Sequence, residues 1–503
     1  MGATGVLIGL AHGLAGATTP INLLAVLIGV TLGTMVGVLP GMTPTATMAV
    51  LLTFTALLPT ETAFITLGGI YFGSQYGNSI TAILLNVPSE PPSVVVARHG
   101  YRFTKRGRSG VALTGAAFGS FIGVMIGLVG LSLTAPFLSH VAAGFTPSAF
   151  FLVALAAVVT LLLVMNGGSA TAILSLCIGM ALGTVGIDPI TGQNRFTFGV
   201  TGLLGGVQLV PVAVGLFGIA ELLRRYLWAE PDVAPPRRSR WRELLPTVRE
   251  WVRTLVASVR GGVLGFLVGS IPGPSLLMGV FSAYAVEEKL GKRRYGSRLD
   301  EGQIELVAGP KAADDAAVSG ALVPLLTLGV PFTPVTAMLF ASLLLHNIHP
   351  GPLFIQDHAG VFWSLVVAMA IGNLCLLVLN FPLVGVWVQL LRVPERIRFP
   401  LLMVVAMLGV YSLRFSFFDL WVLLLSSVLG LVLIRIGFDR ILIILGLILG
   451  GPMETALRQS LIGSGGSLSV FVSSPANQVM VAILAALIGG WSVLRIRTRR
   501  RQA

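Results

Sequence analysis

Two glycine-rich segments of the same design limit what this chain can fold into. The first is Gly29-x3-Gly33-x3-Gly37-Val-Leu-Pro40-Gly41, and the same spacing returns 232 residues later and ends at Gly273. Small residues four apart let two membrane helices approach closely, and the Pro-Gly pair then stops the helix. A helix broken inside an apolar stretch is costly in lipid unless the freed groups face protein, water or a ligand. One such break is equally compatible with a kink, but matched breaks in both halves predict a transporter built from repeats.

The composition points to a membrane protein. Of 503 residues, 55% are hydrophobic and only 11% are charged, whereas a soluble domain carries about 25% charged residues. At about 20 residues per crossing, we expect an all-α polytopic membrane protein with about twelve transmembrane or half-spanning helices. The net charge of +13 would suggest nucleic acid in a soluble protein. Here the basic residues fall in short segments between apolar stretches, as the positive-inside rule expects, so we expect a lipid bilayer and no nucleic acid.

The chain divides into four parts by hydropathy and charge. Residues 1–223 form an N-terminal repeat half, and 224–260 form an Arg-rich cytoplasmic linker. Residues 261–390 form the second repeat core, and 391–503 hold C-terminal membrane helices with a basic cytoplasmic tail. The basic segment 98–108 is predicted to be a cytoplasmic loop. Both repeats should contain broken or re-entrant helices, and the sequence leaves open whether the repeats are inverted.

The half-helices that follow the two Pro-Gly breaks are the first candidate site. An anion needs hydrogen-bond donors, and a helix N-terminus supplies free N–H groups with about half a unit of positive charge. Hydroxyl groups at these starts would add donors, although N-capping uses the same hydroxyls. The candidate substrate-binding residues here are Pro40, Gly41, Thr43, Pro44, Thr45, Pro272, Gly273, Pro274 and Ser275.

A second group of candidates lies where each later span is interrupted. A polar run and a Val-Pro break follow one another in the first half, and a second Val-Pro break mirrors them in the second half. Polar side chains in a span can instead bond a neighbouring helix. The candidates are Asn78, Ser79, Thr81, Pro88 and Ser89 in the first half, and Thr327, Gly329, Pro331 and Thr333 in the second.

Two adjacent carboxylates, Asp314 and Asp315, stand at the start of an apolar stretch. A charged side chain inside a membrane costs much free energy and is therefore first considered functional. The pair is a candidate site for a coupling Na⁺ or H⁺. The alternative is a solvated pair at the water interface beside Lys311. We find no nucleotide-binding Gly-x4-Gly-Lys motif and no nucleophile elbow. We therefore expect no enzyme activity, no cofactor and no bound metal beyond the coupling ion.

Several longer motifs carry a resemblance to one family. They are Gly37-Val-Leu-Pro-Gly41, Gly69-Ile-Tyr-Phe-Gly73, Tyr76-Gly-Asn-Ser-Ile-Thr-Ala-Ile-Leu-Leu-Asn-Val-Pro88, Gly320-Ala-Leu-Val-Pro-Leu-Leu-Thr-Leu-Gly-Val-Pro331, His349-Pro-Gly-Pro352 and Gly463-Ser-Gly-Gly-Ser-Leu-Ser-Val-Phe471. In these segments the chain resembles the large membrane subunit of tripartite tricarboxylate transporters. The resemblance implies a multi-pass carrier of the bacterial inner membrane that takes up small carboxylates of the tricarboxylate or dicarboxylate class. It also implies an ion gradient as the driving force and two partners, a small membrane subunit and a periplasmic solute-binding protein.

The chain departs from the family pattern near the predicted site, which leaves the substrate open. It has Gly77-Asn78-Ser79 where the family usually reads Gly-Gly-Ser, and Pro88-Ser89-Glu90 where the family usually reads Pro-Gly-Glu. Two alternatives remain. One is a carrier for another small organic anion that works without a binding protein, and the other is a membrane sensor subunit that transports nothing. A membrane enzyme or lipid-handling protein would need a catalytic constellation that these residues do not supply.

Overall fold

Helix forms almost the whole described part of the chain. The computed structural model describes residues 3–39, 42–88, 90–142, 144, 146–165, 170–227, 246–271, 275–295, 303–390 and 395–502. The strands found in these residues are one short antiparallel pair, Gly186–Ile187 with Asn194–Arg195. The prediction of an all-α polytopic membrane protein is therefore confirmed.

The helices are named α1 to α20 in chain order. The first half contains α1 (Ala3–Ala17), α2 (Pro20–Gly37), α3 (Pro44–Thr55), α4 (Thr60–Leu85), α5 (Ser93–Lys105), α6 (Ser109–Ala142), α7 (Pro147–Met165), α8 (Ala170–Gly183), α9 (Leu209–Ala213) and α10 (Ala220–Leu227). A π-helical segment, Val214–Ile219, joins α9 to α10, and a 3₁₀ turn covers Thr201–Leu203.

The second half follows the same plan and then adds further helices. It contains α11 (Val248–Gly269), α12 (Ser275–Tyr295), α13 (Glu305–Leu328), α14 (Pro334–Leu345), α15 (Phe354–Asp357), α16 (Ala359–Leu390), α17 (Glu395–Arg414), α18 (Phe417–Ile436), α19 (Arg440–Gly463) and α20 (Pro475–Gln502). A 3₁₀ segment, Leu468–Val472, precedes α20.

The apolar helices of the described residues fall into two length classes. Among the described residues, six are long and apolar enough to span: Pro20–Gly37, Ser109–Ala142, Val248–Gly269, Ala359–Val378, Phe417–Ile436 and Arg440–Gly463. A further seven apolar helices are 10–17 residues long. This mixture agrees with the predicted dozen or so spanning and half-spanning helices.

Helices α2 and α3 form a hairpin, and α4 then packs beside α2. Thr62 near the start of α4 donates a hydrogen bond to Oδ1 of Asn22 near the start of α2, at 2.7 Å. Because these two starts meet, the 12-residue helix α3 must carry the chain back across the length of α2. Proline at the first position of α3 lacks the N–H that would be unsatisfied there, and its fixed φ suits a helix start. The break therefore makes a re-entrant hairpin from α2 and α3.

Glycine allows α2 to touch α4 along its length, in parallel. A Cβ placed on Gly33 would overlap the carbonyl oxygen of Ile70, and one on Gly37 would overlap that of Ser74. In the second half, a Cβ on Gly265 would meet the carbonyl of Ala313, and one on Gly269 would meet that of Ala317. The partner residues in α13 all lie 243 positions after those in α4, as Ile70 to Ala313 and Ser74 to Ala317 illustrate. The repeat predicted from the glycines is therefore a repeat of the packing as well.

The two repeats pack against each other through helices α6 and α16. Helix α6 of the first repeat packs against α13 of the second, where a Cβ on Gly119 would meet the backbone of Ala308. Helix α16 of the second repeat packs against α2 and α4 of the first, and Gly372 lies beside Val26 and Val30. Each repeat thus completes its packing with a helix from the other.

Two boundaries differ from those expected. The basic segment 98–108 was predicted to be a loop, but most of it belongs to α5, an amphipathic helix that buries Val96, His99 and Phe103. Helix α11 begins at Val248, within the predicted linker, because Thr247 and Glu250 form a capping box. Residues 228–245 of that linker lie outside the described residues, and the four domain boundaries stay predictions.

Candidate functional site

Described residues that follow each of the four helix breaks line one cavity of about 600 Å³. Its lining includes the starts of α3, α12 and α14 and the residues just before α5. The starts of α3, α12 and α14, from both repeats, therefore lie at a shared region, whereas the first N–H groups of α5 are bonded to the carbonyls of Glu90 and Pro91. The lining residues from these starts are Thr43, Thr45, Glu90, Pro91, Pro92, Leu276, Leu277, Phe332, Thr333, Pro334 and Val335.

Threonine begins two of these helices, and in both it is followed by proline. Oγ1 of Thr43 accepts a hydrogen bond from the N–H of Ala46 at 3.0 Å, and Oγ1 of Thr333 accepts one from the N–H of Thr336 at 3.1 Å. Both hydroxyls therefore act as N-caps, as the alternative interpretation expects. A cap uses the oxygen as an acceptor, so the O–H of Thr43 keeps its capacity to donate to an anion.

Two other predicted residues carry buried polar groups that have no hydrogen-bond partner among the described residues. They are the hydroxyl of Ser275, the first residue of α12, and both amide atoms of Asn78 in α4. Ser275 is 2% exposed and Asn78 is 1% exposed. An unsatisfied buried polar group costs about 1–3 kcal/mol. Such groups are expected where a ligand or water completes the bonding.

The remaining predicted residues divide into three groups. The hydroxyls of Ser79, Thr81 and Thr327 are bonded to backbone carbonyls within the protein, those of Gln75, Val38 and Val323. A second group shapes the breaks: Pro44 is buried at the first position of α3, Gly329 has a left-handed φ of 70°, and Pro88 and Pro331 follow the ends of α4 and α13. The third group lies outside the described residues and consists of Pro40, Gly41, Ser89, Pro272, Gly273 and Pro274.

The αL residues explain how the second pair of breaks is made. Asn86 ends α4 with φ 58°, and Gly329 ends α13 with φ 70°. A left-handed residue closes a helix C-terminus, and Asn and Gly adopt it most readily. Val87-Pro88 and Val330-Pro331 follow, and proline disfavours the α region for the valine before it, so neither helix continues.

The two aspartates are buried inside α13 and share a lysine. Nζ of Lys311 lies 2.9 Å from Oδ1 of Asp315 and 3.5 Å from Oδ2 of Asp314. Helix α13 begins at Glu305, so the pair lies in the helix interior and not at the solvated start that was the alternative. One ammonium faces two carboxylates, which leaves a net negative charge. Oδ1 of Asp314 and Oδ2 of Asp315 have no hydrogen-bond partner among the described residues.

Glu90 connects this buried cluster with the cavity. It lines the cavity just before α5, and it is close enough to Asp314 and Lys311 to interact with both electrostatically. Tyr71 of α4 also faces Asp314, and its hydroxyl accepts a hydrogen bond from Nε2 of Gln75 at 2.7 Å. In the repeat register, Tyr71 corresponds to Asp314. Among the described residues, the charged cluster therefore belongs to the second repeat, and Glu90 of the first repeat faces it.

The rest of the cavity wall was not foreseen. It comes from the π-helical segment, the start of α10, the end of α18 and the start of α19, and it includes Phe217, Glu221, Asp439 and Arg440. In the sequence, Arg440 marks the end of a span and Glu221 lies near another span end. Single charges at such positions carry no site signal, because most serve membrane topology. Only the tertiary structure places them beside the helix breaks.

A second cavity of about 540 Å³ lies near the strand pair. Ile187, Gln208, Arg414 and Asp419 contribute to it, and it contains none of the predicted site residues. Nearby, Arg458 of α19 donates to both carboxyl oxygens of Asp188, and these bonds hold the pKa of that carboxyl below its ordinary value. Charge pairs here tie the hairpin to α19. The cavity at the helix breaks is therefore the candidate site.

Comparison with known proteins agrees with these features. The model of the tripartite tricarboxylate transporter TctA family matches residues 23–445. The chain is 39% identical over 492 residues, 98% of this chain and 97% of the relative, to the uncharacterized 52.8 kDa protein in the TAR-I ttuC' 3'region of Agrobacterium vitis. It is also 40% identical over 225 residues, 45% of this chain and 89% of the relative, to the uncharacterized protein in the TAR-II ttuC' 3'region of the same organism. No solved structure matches the chain. The chain therefore belongs to the tripartite tricarboxylate transporter TctA family.

Proposed function

We propose that this transporter subunit is a secondary carrier that takes up small carboxylates of the tricarboxylate or dicarboxylate class. The observation that carries the proposal is the convergence of three helix N-termini, those of α3, α12 and α14 from two repeats, on one cavity. A helix N-terminus carries a partial positive charge and N–H groups that lack partners within the helix, and such termini bind anions. The volume of about 600 Å³ falls within the range of about 300–1,000 Å³ for small-molecule sites. Motion of the repeats relative to the remaining helices would alternate access to it.

Uptake into proteoliposomes tests this function. The full chain is reconstituted, with and without its proposed partners, and radiolabelled citrate and succinate are offered under an imposed Na⁺ or H⁺ gradient without ATP. We expect accumulation that stops when the gradient is collapsed. Protein-free liposomes are the control. Binding of a carboxylate without accumulation under any gradient would favour the sensor subunit instead.

The coupling ion is proposed to bind at Asp314 and Asp315, as Na⁺ or H⁺. The support is a buried cluster with an excess negative charge and two carboxylate oxygens without partners among the described residues. A buried charge that is not fully compensated favours uptake of a proton or a cation. Hard cations prefer oxygen ligands, and Lys311 already balances only one of the two carboxylates.

Ion titrations of uptake test the coupling site. Asp314→Asn and Asp315→Asn each keep the size of the side chain and one oxygen but remove a charge. The ion concentration for half-maximal uptake should rise, and substrate affinity should fall at low ion concentration because linkage between sites is reciprocal. Saturating ion should restore much of the substrate affinity. Unshifted ion curves for both variants would contradict binding of the coupling ion at Asp314 and Asp315.

The proposed setting follows the family resemblance. We place the subunit in the bacterial inner membrane with a cytoplasmic C-terminus, together with a small membrane subunit and a periplasmic solute-binding protein. The family is that of a tripartite transporter, which supports partner subunits in general. Co-purification of the tagged chain with two co-expressed partners, followed by uptake with and without the binding protein, tests whether they are required.

A further inference from the structure

Arg440 is the only basic side chain on the described lining of the cavity at the helix breaks. It is the first residue of α19, and Asp439 before it caps that helix by accepting the N–H of Ile441 at 2.9 Å. Its guanidinium lies over the ring of Phe217, 5.5 Å from the ring centre. A cation held against an aromatic face is restrained in direction without losing its hydrogen-bond donors. Arg440 is therefore a positioned cation on the cavity wall.

The hydrogen bonds of Arg440 leave capacity for a ligand. Nη1 donates to the carbonyl of Leu216 at 2.7 Å, while Nη2 lies 3.4 Å from Oε2 of Glu221. Glu221 is held more closely by Arg224, whose Nε lies 2.8 Å from Oε1. A guanidinium has five N–H donors in a planar fork that suits a carboxylate. The long contact with Glu221 uses little of this capacity.

The cavity thus presents two kinds of anion receptor on different helices. The starts of α3 and α14, with Thr43 and Thr333, offer backbone N–H groups, and α19 offers a guanidinium. A substrate with one carboxylate can engage only one of them at a time. A substrate with two carboxylates can bridge them, so its affinity exceeds that of a monocarboxylate.

The charges on the lining argue against a third carboxylate. Glu90, Glu221 and Asp439 line the same cavity, so three carboxylates accompany the one guanidinium among the described lining residues. A like charge brought next to these groups costs free energy, and rejection of this kind is an effective source of specificity. A third carboxylate finds no further cation on the described lining, whereas both carboxylates of a dianion have an anchor.

We propose that Arg440 is the specificity-determining residue of the site and binds the second carboxylate of a dicarboxylate substrate. The first carboxylate is bound by the N-termini of α3 and α14. This inference rests on the proposed function and narrows its substrate class from small carboxylates in general to dicarboxylates.

Binding measurements with three probes test the inference. The full chain in nanodiscs is titrated with succinate, butyrate and citrate by competition against radiolabelled succinate. We compare the wild-type protein with Arg440→Gln, Arg440→Lys and Glu221→Gln. Arg440→Gln removes a charge-assisted pair of hydrogen bonds from the complex, so the affinity for succinate should fall about tenfold to a hundredfold. Butyrate should change little, so the ratio of the two affinities serves as an internal control for folding.

The other two variants sharpen the comparison. Arg440→Lys keeps the charge but loses the planar fork, so it should recover only part of the preference for succinate. Glu221→Gln removes a repelling carboxylate and a competitor for the guanidinium, so succinate and citrate should both bind as tightly as in the wild-type protein or more tightly.

The outcomes separate this inference from the function beneath it. Wild-type protein that neither binds nor transports any of the three probes would overturn the proposed function itself. Carboxylate uptake by the wild-type protein, with an unchanged ratio of succinate to butyrate affinity in Arg440→Gln, would overturn only the role of Arg440. A wild-type preference for citrate over succinate would overturn the assignment to dicarboxylates.

Discussion

Some charged side chains of this protein are buried inside its apolar helices, and Lys311 of α13 is the clearest case. Its ammonium is buried and lies 2.9 Å from Asp315 and 3.5 Å from Asp314. The cost of burying these charges is met by their mutual attraction, so the cluster is stable only when its members are present together. The sequence shows three charged residues within five positions. Their shared burial is what turns them from a solvated group into a functional candidate.

Replacing Lys311 should therefore destabilise the protein strongly. In Lys311→Met the two carboxylates lose their counter-ion, and breaking a buried pair in this way costs about 3–5 kcal/mol. We expect a large fall in the thermal unfolding temperature in detergent, measured at fixed ion concentration and pH. In the double variant Lys311→Met/Asp315→Asn one charge is removed with its partner, and much of the stability should return. Equal instability of both variants would contradict a stabilising role for the Lys311–Asp315 charge pair.

At the scale of elements, close helix contact organises each repeat. The glycines of α2 and α11 bring these helices against the backbones of α4 and α13, and an added methyl group at either Gly33 or Gly265 has no room. Such packing holds the hairpin α2–α3 and its counterpart α11–α12 in register with the helices beside them. The starts of α3 and α12 are thereby fixed at the cavity.

Adding one methyl group at matched positions in the two repeats should have matched effects. Gly33→Ala and Gly265→Ala should each lower stability by roughly 1–3 kcal/mol, because overpacking forces backbones apart. Gly489→Ala in α20 is the control, since nothing lies within 4 Å of its added Cβ. Thermal unfolding and the monodisperse fraction in detergent report the effect. Full stability of both repeat variants would mean that the helices do not approach each other as closely as described.

At the scale of the whole molecule, the two repeats complete one another. Helix α6 packs on the second repeat and α16 on the first, so neither repeat is closed without the other. The same exchange brings Glu90 from the first repeat to Asp314 of the second. A cavity formed by both repeats can then respond to movement of either one, as alternating access requires.

Labelling of engineered cysteines tests how this molecule is oriented. In a chain with Cys177 and Cys375 replaced by alanine, Arg106→Cys and Arg500→Cys should be shielded from an impermeant thiol reagent outside intact cells. The reason is the excess of arginine and lysine near both positions. Thr191→Cys in the exposed hairpin should be labelled. The three helices α6, α7 and α8 lie between α5 and this hairpin, and three crossings bring the chain to the side opposite α5. Labelling of position 106 from outside would reverse the proposed orientation.

The sequence by itself determined the fold class, the repeat and most of the breaks. Apolar length, glycine spacing and proline are local signals, because they act through the backbone within a few residues. The same holds for Thr43-Pro44 and Thr333-Pro334, whose helix starts could be placed from sequence alone. Helix α5 could not, since its basic face has the composition of a loop and only burial of its other face stabilises it.

Only the tertiary structure decided which of these local features meet. Asn78, Ser79 and Thr81 share a polar run, yet Ser79 and Thr81 bond carbonyl groups while Asn78 is left with unpartnered amide atoms. Arg440 and Glu221 lie far from the breaks in the chain, and packing of α10, α18 and α19 brings them to the cavity. Contacts between residues distant in sequence depend on how whole helices pack, and no spacing along the chain encodes that arrangement. For this reason the helix breaks were predictable, whereas the cation that faces them was not.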